Sequence, residues 1–245
     1  MTWFRCAETR PWASLRLFCF PHAGGSAVFY RPWAARIGRA VEVQAVQYPG
    51  RADRLADPFV DDAHQLARLI AGAMAPLLDR PAALFGHSMG AIVAYETARL
   101  LQERGTAPVH LFASGARAPH DREDRRLSDL DDDGLVAEMV ALGGSDADAL
   151  RDPELRELVL PYVRNDFRLV ERYEHRPGPR LTVPVTALVG DADPHVPADR
   201  APRWGEVTDG AFRCEVLPGG HFYLVPQRDK VIAEVQRALA VPAGP

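Results

Sequence analysis

The sequence predicts an α/β fold in which helices cover both faces of a mostly parallel central sheet. Short apolar runs alternate along the chain with segments whose apolar residues recur at helical spacing, an order typical of parallel βαβ units. The apolar runs are nearly continuous, which indicates strands that are buried on both faces. The 245 residues suffice for one large domain or two small ones. We expect a single domain over residues 1–245.

Six strands and three helices can be assigned in chain order. The strands are predicted at Leu15–Phe20, Val41–Gln47, Ala82–Phe85, His110–Ser114, Val183–Val189 and Arg213–Leu217. The helices are predicted at Asp62–Leu78, Gly90–Glu103 and Val231–Leu239. Gly105 is expected to end the second helix, because glycine readily adopts the left-handed conformation that closes a helix.

Residues from about 118 to 176 interrupt this alternation with two helical blocks and no strand between them. The first block carries apolar residues from Leu135 to Leu142. The second begins at Asp152-Pro153, where an N-cap is followed by proline at the first helical position, and a kink is expected at Pro161. A helical insertion before the last strands suits a lid over the edge of the sheet. On pattern alone, extra helices that only cap the sheet suit it equally well.

A strand that runs directly into Gly86-His87-Ser88-Met89-Gly90, followed at once by a helical run, predicts a nucleophile elbow. The sharp turn holds the serine in a strained conformation, and small residues on either side avoid clashes. Ser88 is therefore the expected nucleophile, at the N-terminus of a helix. The elbow indicates an α/β-hydrolase fold and a reaction of the acyl-transfer class.

A serine hydroxyl needs a general base, and the base needs an orienting acid. In α/β-hydrolases these residues follow the serine in the order acid, then histidine. His221 is the strongest candidate base, since it follows a late strand in a glycine-rich turn. Asp191 and Asp193 compete for the acid on the preceding loop, where Asp191 also suits an ordinary turn. We favour Asp193, partly because it lies deeper in the loop and precedes a proline, and partly on the family resemblance given below.

The oxyanion hole requires two N–H donors. The backbone of Met89, the residue after the nucleophile, is the first candidate. The second is expected on the loop after the first strand, Phe20-Pro21-His22-Ala23-Gly24-Gly25-Ser26. We favour the Ala23 N–H. Gly24-Gly25 alone would also suit a tight turn or a phosphate loop.

Composition excludes several other classes of function. The residues are 47% hydrophobic and 25% charged, as in ordinary soluble globular proteins. The net charge of -4 gives no electrostatic reason to expect nucleic acid or an anionic membrane as a partner. Neither a signal peptide nor an apolar run of membrane-spanning length is apparent. Cys6, Cys19 and Cys214 lack metal-ligand spacing and suggest reduced thiols. We therefore expect a cytoplasmic protein without a metal site.

Several segments together resemble the stand-alone (type II) thioesterases of polyketide and non-ribosomal peptide synthesis. Besides the elbow and the loop around Ala23, they are Gln47-Tyr48-Pro49-Gly50-Arg51, Leu160-Pro161-Tyr162-Val163-Arg164-Asn165-Asp166-Phe167, Gly190-Asp191-Ala192-Asp193 and Gly219-Gly220-His221-Phe222. The resemblance extends from about Leu15 to Leu224. It implies an α/β-hydrolase with a lid, a Ser88/Asp193/His221 triad, and oxyanion donors at Ala23 and Met89. Tyr223 departs from it, because an apolar aromatic residue is expected there.

The resemblance also implies the substrate, which is an acyl group held as a thioester on the phosphopantetheine arm of a carrier protein. The enzyme is expected to remove aberrant or stalled acyl groups in trans, as a monomer and without a cofactor. Three alternatives remain: a carboxylesterase or lipase acting on oxygen esters, a non-catalytic hydrolase-fold binding protein, and a product-releasing thioesterase. The Arg-rich segment Arg122–Arg126 is a candidate contact for an acidic carrier protein.

Overall fold

The computed structural model describes residues 3–121, 126–143, 150 and 152–241. Within these ranges the chain forms a seven-stranded sheet in the order β1-β3-β2-β4-β5-β6-β7. Its strands are β1 (Phe4–Arg5), β2 (Leu15–Phe20), β3 (Val41–Val46), β4 (Ala82–His87), β5 (His110–Ser114), β6 (Val185–Gly190) and β7 (Phe212–Leu217). β1 pairs antiparallel with β3, and every other strand pair of this sheet is parallel. The predicted mostly parallel sheet is therefore confirmed.

The strand bounds differ from the prediction at a few positions. β1 was not predicted, because two residues carry no periodicity that separates a strand from a loop. β6 begins at Val185 rather than Val183, and the intervening Pro184 has no N–H to donate to a neighbouring strand. β4 continues two residues beyond Phe85, to His87, so the strand reaches the residue before the nucleophile.

Helices cover both faces of the sheet. They are α1 (Arg31–Ala34), α2 (Ala63–Met74), α3 (Met89–Glu103), α4 (Asp132–Ala141), α5 (Pro153–Arg172) and α6 (Arg228–Ala238). α2 is shorter than predicted, and a 3₁₀ turn containing Pro76 follows it at Ala75–Leu77. α3 ends as expected, with Gly105 at φ 72° and the Thr106 N–H bonded to the Leu101 carbonyl.

The core consists of two layers, one on each face of the sheet. Alternate residues of β2 belong to opposite layers: Phe18 and Phe20 pack with α2 and α3, whereas Leu17 and Cys19 pack with α1 and α6. All four side chains are fully buried. The continuous apolar runs of the sequence thus reflect strands covered on both faces, as predicted.

The helical insertion, consisting of α4 and α5, lies between β5 and β6 as the sequence predicts. Its own small cluster of buried residues comprises Leu135, Leu160 and Val163. Asp152 caps α5 by accepting the Glu154 N–H at 2.9 Å. α5 continues through Pro161 without interruption. The insertion thus has a small cluster of its own, while Leu169 of α5 packs into the core layer that contains α2 and α3.

Among the described residues, no helix is long and apolar enough to cross a membrane. The three cysteines lie in this part of the chain and are all free. Cys19 is buried in β2, whereas Cys6 and Cys214 are partly exposed.

Candidate active site

Ser88 occupies a sharp turn between β4 and α3. Its backbone has φ 55° and ψ −122°, a left-handed conformation that costs a non-glycine residue about 1–3 kcal/mol. The Ser88 N–H donates to the carbonyl oxygen of Ser114 at 2.8 Å, at the end of the neighbouring strand β5. The nucleophile predicted from the sequence therefore lies at the carboxyl edge of the sheet in the strained geometry of an elbow.

The two glycines of the elbow permit backbone contacts that no side chain would allow. A Cβ atom at Gly90 would lie 2.1 Å from the Phe20 carbonyl oxygen, and one at Gly86 would lie 2.2 Å from the Gly90 carbonyl oxygen. The first contact brings the start of α3 against the end of β2. The loop that follows β2 thus begins directly beside the nucleophile.

His221 and Asp193 are brought together from two neighbouring loops. Nδ1 of His221 lies 2.8 Å from Oδ2 of Asp193, and both side chains are buried. Oδ1 of Asp193 accepts the N–H groups of His195 at 2.9 Å and Val196 at 3.2 Å. Burial raises the pKa of Asp193, but the hydrogen bonds from His221 and the backbone together lower it by more than burial raises it. The net shift of the pKa is therefore downward. An ionised Asp193 accepts a hydrogen bond from the Nδ1–H of His221, which leaves Nε2 as the acceptor.

Asp191, the competing acid, makes a different contact. Its Oδ1 accepts the N–H of Gly219 at 2.9 Å. The Asp191 N–H in turn donates to the Leu217 carbonyl at 2.9 Å. Asp191 thus joins the loop after β6 to the loop that carries His221, and it does not contact the imidazole.

Ser88 and His221 line one cavity of about 180 Å³, together with Met89 and His195. The insertion supplies part of its wall through residues of α5 and the segments beside α4 and α5, which include Leu142, Phe167, Val170 and Tyr173. The nucleophile and the candidate base therefore line a common cavity, and the insertion forms part of its wall.

The loop after β2 lines a second cavity of about 490 Å³, which includes Ala23 and Phe222. Leu142 and Phe167 line both cavities, so the two spaces adjoin at these side chains. Met89 is the first residue of α3, where the backbone N–H has no helical acceptor. For the Ala23 N–H, no acceptor is found among the described residues. Both candidate oxyanion donors are thus available on the two sides of this junction.

Side chains of the Gln47–Arg51 segment bind the backbone of the loop that carries Ala23. Tyr48 Oη donates to the Pro21 carbonyl at 3.1 Å, and Gln47 Oε1 accepts the Ala27 N–H at 3.2 Å. Arg51 donates to the Gly25 carbonyl at 3.2 Å. Sequence reasoning used this segment only for its resemblance and assigned no role to its residues, because the loop it binds lies more than twenty positions away.

Two histidines near the site, the partly buried His22 and the fully buried His87, have lowered pKa values that favour the neutral imidazole. Burial, with smaller contributions from His221 and Arg51, lowers the pKa of His22 to about 3. Burial also lowers the pKa of His87 well below its usual value, with contributions from His221 and His22. The rings of His87 and His221 are 5.1 Å apart. A neutral His87 therefore packs against the candidate base without adding a like charge beside it.

His87 belongs to a buried network that sequence reasoning missed. Its Nδ1 lies 2.9 Å from Ser114 Oγ, and Ser114 Oγ lies 2.7 Å from Tyr223 Oη. Tyr223 was noted only as a departure from the expected apolar residue. The hydrogen-bond partner of its hydroxyl is Ser114 Oγ, which lies at the end of another strand, β5.

The Arg-rich segment proposed to contact a carrier protein lies mostly outside the described residues. Residues 122–125 are not described. Arg126 is described, and its exposed side chain lies near that of Asp129.

Comparisons with known proteins find related sequences and structures. The thioesterase domain family matches residues 15–239. The chain is 44% identical over 237 residues to a probable cadicidin biosynthesis thioesterase of Streptomyces griseus, which covers 97% of this chain and 66% of that protein. It is 42% identical to thioesterase PikA5 of Streptomyces venezuelae, over 99% of this chain and 87% of the relative. The solved structure of BorB, a type II thioesterase from the borrelidin cluster, superposes with a TM-score of 0.89 at 38% identity and covers 98% of this chain and 97% of BorB.

Proposed function

Because the chain belongs to the thioesterase family, we propose that it hydrolyses acyl groups from the phosphopantetheine thioester of a carrier protein. Its relatives include type II thioesterases of polyketide and non-ribosomal peptide pathways. The observation that carries the proposal is the buried His221–Asp193 hydrogen bond beside a strained Ser88 in one cavity. Acyl or peptidyl carrier domains are the proposed partners, and the cytoplasm is the proposed location.

In the proposed mechanism, Ser88 Oγ attacks the thioester carbonyl while Nε2 of His221 takes its proton. Asp193 fixes the imidazole tautomer and stabilises the imidazolium. The Ala23 and Met89 N–H groups stabilise the oxyanion. His221 returns the proton as the C–S bond breaks, and the thiol leaves readily because a thiol such as that of cysteine has a pKa of about 8.5. Water activated by His221 then hydrolyses the acyl-Ser88 ester, which releases the acid and restores the serine.

The two adjoining cavities support a substrate that extends beyond the cavity lined by Ser88 into the larger one. The larger cavity is lined mainly by apolar side chains, which include Val159 and Phe167 of α5. We propose that the insertion acts as a lid over this space. In that role it excludes water while the thioester lies at the junction.

The test is a panel of acyl chains of different length and polarity loaded on carrier protein, with release followed by mass spectrometry. The same acyl groups as simple oxygen esters serve as the comparison. We expect faster release from the carrier protein, and a strong preference for the oxygen esters would indicate an esterase instead. Ser88→Ala is expected to abolish release, and undiminished hydrolysis by this variant would overturn the proposed triad.

A further inference from the structure

Two segments that no catalytic role explains meet in a buried ion pair. Nη2 of Arg51 lies 2.6 Å from Oδ1 of Asp166, and Nη1 donates to Oδ2. Both side chains are only 3% exposed. Arg51 follows β3, whereas Asp166 lies on α5 of the insertion. The pair therefore joins the body of the protein to the insertion through a bidentate contact, the strongest geometry for an arginine and a carboxylate.

The same two side chains bind the loop that carries Ala23. Oδ2 of Asp166 accepts the N–H of Gly24 at 2.8 Å, and Nη1 of Arg51 donates to the Gly25 carbonyl at 3.2 Å. These are the two residues that directly follow Ala23. The ion pair thus binds both an N–H group and a carbonyl group of the loop backbone beside the candidate oxyanion donor.

α5 also approaches this loop through close packing. Gly24 has φ 76°, and a Cβ atom there would lie 3.0 Å from Cγ2 of Val163. The ring of Tyr162, the residue before Val163 on α5, lies 4.8 Å from the Arg51 guanidinium. Asp166 and Val163, which both lie on α5 of the insertion, therefore set the orientation of the loop backbone together.

We infer that Arg51 and Asp166 are positioning residues that set the direction of the Ala23 N–H for stabilisation of the oxyanion. The inference rests on the proposed acyl transfer at Ser88, but it does not depend on the carrier protein. Removal of the pair leaves Ala23 in place but frees the backbone that orients its N–H. Loss of one oxyanion donor typically lowers kcat by 10²–10³, so we expect the loss here to be about 100-fold.

If the pair only stabilised the fold, the variants would behave differently. The cost of leaving a buried charge unpaired makes the two roles distinguishable. Removing one partner of a buried pair leaves an unpaired charge and is strongly destabilising, whereas replacing both by apolar residues of similar volume is often neutral. Asp166→Leu alone is expected to lower Tm by about 10 °C. The double variant Arg51→Met/Asp166→Leu is expected to melt within about 3 °C of the wild type. If the pair served stability alone, the double variant would also regain its activity.

The experiment measures kcat and KM for octanoyl-N-acetylcysteamine, a small thioester. It also measures the affinity for two inhibitors with octyl chains, a trifluoromethyl ketone and an unreactive thioether. Ser88 Oγ adds to the ketone carbon, its proton passes to His221, and the carbonyl oxygen becomes an anion in the oxyanion hole. The thioether forms no such anion. In the double variant we expect kcat and the affinity for the ketone to fall by the same factor of about 100, with thioether affinity within twofold.

The matched control is Asp61→Asn/Arg172→Gln, which removes another ion pair between α5 and the body, joined at 2.8 Å but exposed. It should keep wild-type values in every assay. A double variant with wild-type kcat would overturn the inference, and so would equal losses of affinity for the ketone and the thioether, which would indicate a role in substrate binding. Wild-type enzyme that hydrolyses this thioester but no acyl-carrier protein would overturn the proposed substrate and leave the inference standing.

Discussion

The carboxylate of Asp191 accepts the backbone N–H of Gly219 at 2.9 Å, two residues before His221. Asp193, on the same loop, instead accepts a hydrogen bond from the His221 imidazole at 2.8 Å. One loop therefore makes two separate contacts with the segment that carries the candidate base. Asp191 fixes the backbone of that segment, whereas Asp193 fixes the ring itself.

This division predicts very different effects for the two aspartates. Asp193→Asn is expected to lower kcat by about 10³–10⁴, because an amide donor in place of the carboxylate favours the wrong imidazole tautomer. Asp191→Asn is expected to cost less than about tenfold, since an amide oxygen still accepts the Gly219 N–H. Thioester hydrolysis at saturating substrate measures both. The assignment is wrong if the Asp191 variant suffers the larger loss.

Close backbone contact at the elbow predicts that Gly90 tolerates no side chain. In Gly90→Ala, the new methyl group would meet the Phe20 carbonyl oxygen at 2.1 Å, and we expect a loss of more than about 3 kcal/mol in the free energy of unfolding. Gly72, in α2, is the matched control because a Cβ there meets nothing within 4 Å. Gly72→Ala should stabilise the protein by about 0.5–1 kcal/mol. Urea unfolding distinguishes the two, and equal effects would contradict the packing described.

The backbone of Ser88 predicts a stability difference between two inactive variants. Ser88 has φ 55°, and the strain of about 1–3 kcal/mol is relieved in Ser88→Gly but retained in Ser88→Ala. Glycine loses about 0.5–1 kcal/mol of that gain through its greater freedom in the unfolded chain. We therefore expect the glycine variant to be about 1 kcal/mol more stable than the alanine variant in urea unfolding. An alanine variant of equal or greater stability would show that the turn is unstrained.

Much of the fold could be predicted because buried parallel strands leave continuous apolar runs, as in β2 and β4. β1 could not, since its two residues, Phe4 and Arg5, form no pattern. Asp193 could be favoured over Asp191 on its position in the loop together with the family resemblance. The two contacts that separate them depend on how the loops after β6 and β7 lie against each other in space.

The Arg51–Asp166 pair was beyond sequence reasoning for a related reason. The two residues are 115 positions apart, and neither belongs to a repeating pattern with the other. Each stood only in a segment quoted for its resemblance. Their common target, the backbone around Ala23, becomes apparent only when α5 is placed over the sheet.

Burial of His110 predicts a pH-dependent stability. Burial, and to a lesser extent Arg237, lowers its pKa from 6.5 to about 4. Between these values the unfolded chain binds a proton that the folded protein does not, so the contribution to stability is present above pH 6.5 and is lost as the pH falls towards 4. From pH 7 to pH 5, wild type should lose about 2 kcal/mol more than His110→Gln. Urea unfolding at the two pH values tests this, and parallel losses would contradict it.

The Tyr223 hydroxyl predicts a coupled contribution to stability. Ser114 Oγ lies between Tyr223 Oη at 2.7 Å and His87 Nδ1 at 2.9 Å. Tyr223→Phe should therefore cost about 1 kcal/mol, and Ser114→Ala about 2–3 kcal/mol because it leaves two buried groups without a partner. Once Ser114 is alanine, the Tyr223 hydroxyl has lost this partner, so its removal should cost little and the double variant should lose less than the sum.

Tyr30→Phe provides the control for that cycle. The Tyr30 hydroxyl donates to the Phe20 carbonyl at 3.1 Å and shares no partner with Ser114, so its effect should add to that of Ser114→Ala within about 0.5 kcal/mol. We expect kcat of Tyr223→Phe to stay within about threefold of wild type, because the His87 ring still packs against His221. Additive effects of Tyr223→Phe and Ser114→Ala would mean that the two hydroxyls act independently. The Tyr223 hydroxyl would then contribute no stability through the hydrogen-bond network that it forms with Ser114 and His87.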